Sequence, residues 1–172
     1  MIDIKTIKTE DFPIIAQLAK TIWQEHFTPI IGENQVRYML ELYLSETAIR
    51  EQVNQEGYVY YGLYEKNNLI GFMAVVYGVS QCFLSKLYLL KNKRGKGYAR
   101  FALCYLENET KQRGLWQIWL TCNKYNSNSI QAYKHMGFVI FDSVVNDIGE
   151  GYVMDDYYMR KELLMKHGER DD

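Results

Sequence analysis

The chain has 172 residues, 48% hydrophobic and 24% charged, enough for one domain with a substantial core and incompatible with a disordered chain. Lys and Arg number 20 against 21 acids, a formal charge of −1. Without a basic excess, a dedicated nucleic-acid binder is excluded and any phosphate recognition must be local.

In chain order, "IDIKTIK" alternates apolar and polar residues and predicts a first strand. Thr9 or Asp11 is placed to cap a helix with Pro13 in its first turn and Ile15, Leu18, Ala19 and Ile22 on one face. "GENQVRYMLELYLS" and "ETAIREQVNQ" predict two more helical pieces divided near Ser45. "YVYYGLY" and "LIGFMAVVYG" are β-rich runs whose "EKNN" junction signals a hairpin, and "CFLSKLYLL" predicts a third strand of this group. Gly97 to Arg113 is helical in pattern, with Ala99, Ala102, Leu103, Leu106 and Thr110 on one side and Gly114 fitting a left-handed cap. "WQIWLTC" is a strand, "NSNSIQAYKHM" a short helix closed by Gly137, and "FVIFDSVV" and "YVMDDYYM" a closing strand pair. Hairpins followed by a strand–helix–strand crossover make one mixed α/β sheet, and residues 1–172 are expected to form a single domain.

Between the third strand of the group and the next helix lies "KNKRGKG", four cations and two glycines. The first N–H groups of a helix have no intrahelical partner, and the helix dipole adds partial positive charge there. Gly95 and Gly97 let the backbone curl round an anion, while Lys93, Arg94 and Lys96 add mobile charge. The context predicts a phosphate site. It is neither a Walker loop, which needs Gly-Lys-Ser/Thr, nor the dinucleotide fingerprint, since position 100 is Arg.

Cys82, Cys104 and Cys122 sit in apolar segments and are expected to be reduced core thiols of a cytoplasmic protein. No metal is expected, because no Cys/His cluster has ligand spacing and His26, His135 and His167 are isolated. No membrane association is expected either, since no signal-like segment or spanning run is present.

"NKRGKG" and "NSNSIQAYKHMGF" together resemble the GNAT superfamily of acetyl-coenzyme A-dependent N-acetyltransferases. Its signature, Gln/Arg-x-x-Gly-x-Gly/Ala at a strand-to-helix junction, appears with Gly95 and Gly97 in place and Asn92 where Gln or Arg is usual. The second stretch supplies Asn126, Tyr133 and Gly137-Phe138, and the element order matches over nearly the whole chain. The resemblance implies a twisted sheet of about seven strands flanked by helices, splayed between the strands ending near Leu89 and Cys122. It implies acetyl-CoA as cofactor, its pantetheine paired with the backbone of Leu87, Tyr88 and Leu89. The diphosphate would rest on the N–H groups of residues 92 to 97, so that Asn92, Lys93, Arg94, Gly95, Lys96, Gly97, Tyr98 and Ala99 form the cofactor loop. Asn126 would bond the pantetheine, and Tyr133 would stand beside the sulfur.

The closing "GYVMDDYYMRKEL" further resembles the polyamine and small-amine branch, so the acceptor is expected to be a small amine. A lysine-like amine is almost wholly protonated at pH 7, so a base is needed, and the departing thiolate needs a proton. Tyr133 fits the acid. Many relatives carry a glutamate on the strand before the glycine loop, but this strand offers Ser85 and Lys86. Glu25, His26 and Glu33 are candidates at the acceptor side, and Asp155 and Asp156 are candidates to attract a cationic amine. Two alternatives stand: a coenzyme A-binding regulatory module with little turnover, and an acetyltransferase of a peptide or protein amine. A homodimer is left open.

Overall fold

The structure is a computed structural model describing residues 1–164, so His167 lies outside the described residues. Its strands are β1 (Ile2–Thr6), β2 (Tyr58–Glu65), β3 (Asn68–Tyr77), β4 (Gln81–Leu89), β5 (Gln117–Asn123), β6 (Val139–Gly149) and β7 (Tyr152–Glu162). The helices are α1 (Phe12–His26), α2 (Thr28–Ile31), α3 (Glu33–Leu44), α4 (Glu46–Gln55), α5 (Tyr98–Gln112) and α6 (Ser127–His135). The seven strands of the described residues join one sheet in the order β1-β2-β3-β4-β5-β7-β6, with β4 and β5 parallel and every other pair antiparallel.

Local chemistry accounts for most boundaries. Ser45 separates α3 from α4 and its hydroxyl accepts from the Ala48 N–H, a true N-cap. Lys66 and Asn67 both take positive φ, the geometry of a tight hairpin turn between β2 and β3. At the start of α1 the expected side-chain cap is missing: Thr9–Asp11 forms a 3₁₀ turn and Asp11 makes no capping bond. The four-residue α2 is too short to leave a periodic signal; Pro29 stands in its first turn.

The middle of the sheet is buried on both faces, while the edge strand β6 stays largely exposed. One face carries α5 and α6, with Ala102, Leu103, Leu106 and Ile130 packed on Met73, Leu84, Ile118 and Leu120. The other carries α1, α3 and α4, with Ile15, Trp23, Val36, Met39 and Ile49 packed on Tyr60, Phe72 and Ala74. Each such fully buried aliphatic or aromatic side chain contributes roughly 1.5–3 kcal/mol. Cys82 and Cys122 are buried as expected, but Cys104 is exposed, because α5 turns only one stripe inward and residue 104 lies off it.

A single irregularity in β4 shapes the middle of the sheet. Leu84 pairs with Val75 and Lys86 pairs with Ala74, so Ser85 is an extra residue. Such a bulge bends its strand and reverses the facing of the residues beyond it. Leu84 packs with the α5 face, and past the bulge Leu87 and Leu89 do so as well. Lys86 and Tyr88 turn to the α1–α4 face instead. Pairing between β4 and β5 stops at the same level, at Leu84 with Leu120. Past it, β4 stays bonded to β3 and β5 to β7, and the two parallel strands part.

Candidate active site

The parted strands open a cleft of about 850 Å³, the size that encloses most of a small ligand. Its walls include Leu87, Ala99, Tyr133 and Met136 from the α5–α6 side and Trp23, Met39, Tyr88 and Met154 from the α1–α4 side. The cleft therefore runs through the sheet, from a loop side to a side roofed by α1 and α3.

On the loop side, Gly95 and Gly97 take φ of +73° and +81°, and Gly97 is the left-handed residue opening α5. An added Cβ at either glycine would meet no protein atom within 4 Å. The Lys93 and Arg94 N–H groups are already bonded to Leu90 and Lys91 carbonyls. Among the described residues, the N–H groups of residues 95 to 100 have no backbone acceptor. Of the residues 92 to 97 expected to offer donors, Lys93 and Arg94 are therefore spent within the loop, while Asn92 and residues 95 to 97 have no backbone acceptor. The expected mobile charge is also smaller. Lys93 is paired with Glu65, which Tyr98 also donates to, and these bonds hold the Glu65 carboxyl at about 2. Arg94 donates from Nε to the Leu89 carbonyl at 3.1 Å and from Nη1 to His26 Nδ1 at 3.1 Å. Lys96 stays exposed. Of the loop residues, Arg94, Gly95, Gly97, Tyr98 and Ala99 line the cleft; Asn92, Lys93 and Lys96 do not.

In the middle, β4 past Leu84 leaves its β5-facing backbone unpaired along Leu87, Tyr88 and Leu89, all of which line the cleft. Asn126, just before α6, is buried there, and its Oδ1 accepts from His26 Nε2 at 3.1 Å. Tyr133 lies one α6 turn beyond Ile130, its ring edge-on to Phe138 at 5.5 Å. Burial raises its phenol well above the usual range, so the hydroxyl keeps its proton at neutral pH. Cys122 beside it is pushed up to about 12 by burial, which leaves an un-ionised thiol and no nucleophile at pH 7.

On the roofed side the two aspartates separate. Asp155 pairs with Lys124 at 2.6 Å and does not line the cleft. Asp156, its neighbour in an alternating strand, is buried and lines it. Burial first, and the Asp155 charge second, push its carboxyl up to about 6, so it is anionic at pH 7. His26 also lines the cleft, but Glu25 and Glu33 do not. Glu25 is exposed on α1, and Glu33 is exposed at the start of α3, paired with Arg37 at 3.3 Å. Neither is placed to act on an acceptor. Helix α3 is tied across the opening: Gln35 donates to the Val153 carbonyl at 2.8 Å and Tyr38 to the Ile148 carbonyl at 2.5 Å.

Sequence reasoning missed the buried group formed by Gln52, Tyr60 and Lys86, in which Lys86 Nζ donates to Gln52 Oε1 at 2.6 Å and Tyr60 Oη at 2.7 Å. The one signal was a lysine inside an apolar strand. Among the described residues no group of three or more His, Cys, Asp or Glu is placed to hold a metal, and no helix is long and apolar enough to cross a membrane.

As a class, this is an α/β fold with a cleft between two parted parallel strands and a glycine-rich helix start at one end. Residues 16–138 match the acetyltransferase (GNAT) family, and the chain belongs to that family, whose members use acetyl-CoA as acyl donor. Over 73 residues it is 30% identical to the streptothricin acetyltransferase of Streptomyces lavendulae. That match covers 41% of this chain and 39% of the relative, well short of the relative's length. The fold is similar to that of the PaiA N-acetyltransferase from Thermoplasma acidophilum, solved with coenzyme A: TM-score 0.79, 22% identity, 94% of this chain and 99% of that one. It is also similar to the ribosomal-protein-S18-alanine N-acetyltransferase of Escherichia coli: TM-score 0.71, 20% identity, 99% and 98% covered.

Proposed function

We propose that this protein, as one N-acetyltransferase domain, transfers the acetyl group of acetyl-CoA to a primary amine of a small, cationic molecule. The observation that carries this reading is the continuous cleft, with an anion-ready helix start on one side and a buried carboxylate on the other. The diphosphate would take the free N–H groups of residues 95 to 100, where helix dipole and left-handed glycines favour an anion. The pantetheine would pair with the unpaired edge at Leu87 to Leu89, bringing the thioester beside Tyr133.

The amine attacks the thioester carbon, the carbon–sulfur bond breaks, and Tyr133 protonates the thiolate. A phenol held up by burial is a weak acid in water. Within the cleft the thiolate is desolvated too, so both affinities for the proton rise together. With Cys122 un-ionised, transfer is direct, without an acyl-cysteine. Asp156 would hold a second ammonium of the acceptor, as in a diamine or polyamine. The ties from α3 to β6 and β7 support a small acceptor over a protein surface, because they roof that side. Two of the named relatives carry different acceptors in their names, streptothricin and an alanine of a ribosomal protein, so the acceptor rests on Asp156 and the roof, not on kinship.

The test is a screen of coenzyme A release against polyamines, amino sugars, amino acids and peptides. Polyamines are expected to turn over fastest. Coenzyme A binding without release on any amine would favour the regulatory module.

A further inference from the structure

We propose that Lys86 is the proton acceptor for the incoming amine, held as a neutral base by Gln52 and Tyr60 at the roofed side of the cleft. The proposal rests on the acetyl-transfer reading above. The Gln52 amide is fixed by donating from Nε2 to the Tyr43 carbonyl at 2.9 Å, so its Oε1 faces inward. That oxygen accepts from Tyr60 Oη at 2.6 Å and from Lys86 Nζ at 2.6 Å, while Tyr60 Oη accepts from Lys86 at 2.7 Å. Two of the three Nζ positions are then used. For the third, the described residues offer neither a hydrogen-bond acceptor nor a carboxylate within ion-pair distance.

An ammonium would leave its third N–H unsatisfied in a buried place, since Lys86 is only 7% exposed. A neutral amine places its lone pair there and needs nothing. The residue lines the cleft, which is where the lone pair has room to work. The Tyr58 and Tyr60 rings, at 4.9 and 5.2 Å, soften a charge but accept no hydrogen bond. Tyr43 from α3, Tyr58 from β2, Tyr88 from β4 and Asp156 from β7 line the cleft with Lys86, Tyr60 from β2 is bonded to it, and Glu56 at the end of α4 acts on its charge. Among the charged groups Glu56 favours the charge on Lys86, and burial outweighs it, lowering Lys86 to about 7. His26 is a poorer base here because both its ring nitrogens are engaged.

The proton count closes. The acceptor arrives as an ammonium and gives one proton to Lys86. Its freed lone pair forms the nitrogen–carbon bond, the carbon–sulfur bond breaks, and the thiolate takes the Tyr133 proton. The surplus proton on the new amide nitrogen returns to the Tyr133 oxygen, and Lys86 releases its own to solvent. Ammonium plus acetyl-CoA has become amide, coenzyme A thiol and one proton.

The test compares the parent with Lys86→Arg and Lys86→Met. Thiol release is followed from about pH 5.5 to about pH 10 with spermidine, an amino sugar and an amino-terminal tripeptide as probe acceptors. Both variants are expected to lose roughly 10²–10⁴ in kcat at pH 7 with KM for acetyl-CoA within a few-fold. The deficit should shrink as pH approaches the acceptor's own pKa, about 10.4 for a lysine-like alkylamine and about 8 for the α-amino group of the tripeptide, since a neutral amine needs no base. If Lys86→Arg works like the parent, the residue is a fixed cation and the proposal falls. If both variants melt lower but keep the parent's kcat and pH profile, it is a packing residue, and again the proposal falls. Should the Met variant not fold, the ¹⁵N shift of Nζ in the parent decides. Titration near 7 supports the base, and titration near the ordinary value of about 10.4 overturns it. A parent that turns over alongside unaffected variants removes Lys86 alone; a parent that acetylates no amine removes this proposal and the acetyl-transfer reading together.

Discussion

The loop side and the roofed side of the cleft are built by different means. The loop side is backbone: two left-handed glycines and the unbonded N–H groups beside them, all within residues 95 to 100. The roofed side is side chains drawn from distant segments, with Gln52, Lys86 and Asp156 carried by α4, β4 and β7. A cofactor common to a family suits a backbone site, which tolerates changes of side chain. An acceptor that differs between members suits a side-chain site, which changes by substitution. Perturbing one side should therefore leave the other nearly untouched.

Tyr133 sits where the two sides meet, and its loss should be the largest effect. Tyr133→Phe keeps the ring against Phe138 and removes only the proton. We expect kcat to fall roughly 10²–10⁴-fold with little change in coenzyme A affinity. Unchanged turnover on the best acceptor would make Tyr133 a packing residue.

Gly97→Val should act on the loop side alone. A non-glycine residue at φ +81° costs about 1–3 kcal/mol, and loss of one charged hydrogen bond adds about 1.5–3 kcal/mol. The strain is present in free and bound protein alike, so the lost hydrogen bond sets the affinity. Coenzyme A binding should weaken about 10–10²-fold by calorimetry, with the fold retained since the added Cβ meets no protein. Asp156→Asn, measured alongside, should bind coenzyme A like the parent. Equal affinity for the Gly97 variant and the parent would remove the diphosphate from this loop.

The same contrast explains how much of the molecule is legible in its sequence. "NKRGKG" and "NSNSIQAYKHMGF" encode local backbone events, so the loop, Asn126 and Tyr133 can be located from the residues alone. Seven strands and their succession along the chain come from periodicity. Lys86 cannot be placed that way, because plain alternation sets Leu84, Lys86 and Tyr88 on one face and only the extra residue at Ser85 turns the last two away. The His26–Asn126 bond joins residues 100 apart, and no local pattern records it. Glu25 and Glu33 are candidates by segment alone; helix phase points both to solvent. Strand alternation separates Asp155 from Asp156, but which of them meets the cleft depends on how β7 lies against β5.

That separation can be tested at the acceptor. Asp156→Asn should raise KM for a polyamine about tenfold or more, while Asp155→Asn, losing a partly exposed pair with Lys124, should change it less than about threefold. In the parent, KM should climb as pH falls below about 6, where Asp156 takes up its proton. A pH-independent KM across that range would release Asp156 from the acceptor.

The smallest effect concerns the link between the two sides. Arg94 has only donors, so His26 Nδ1 must accept from it, and Nε2 therefore carries the hydrogen given to Asn126. Protonating His26 would aim a second donor at Arg94 and add a like charge. Burial first and Arg94 second lower its pKa below 6.5. The folded state then holds fewer protons on this ring than the unfolded state between the two values, so stability is lost as pH falls through 6.5. Asp156 contributes with the opposite sign: its raised pKa means stability is gained as pH falls below about 6. The parent's melting curve alone mixes the two, and a difference measurement separates them. His26→Gln supplies one acceptor and one donor at every pH. We expect it to match the parent above about pH 7 and to melt higher than the parent at about pH 5 by no more than about 3 °C, since 1 kcal/mol moves a domain of this size by roughly 2–4 °C. Parallel curves at all pH values would mean that the ring bonds bear no load and that the loop side and the roofed side are held together by packing alone.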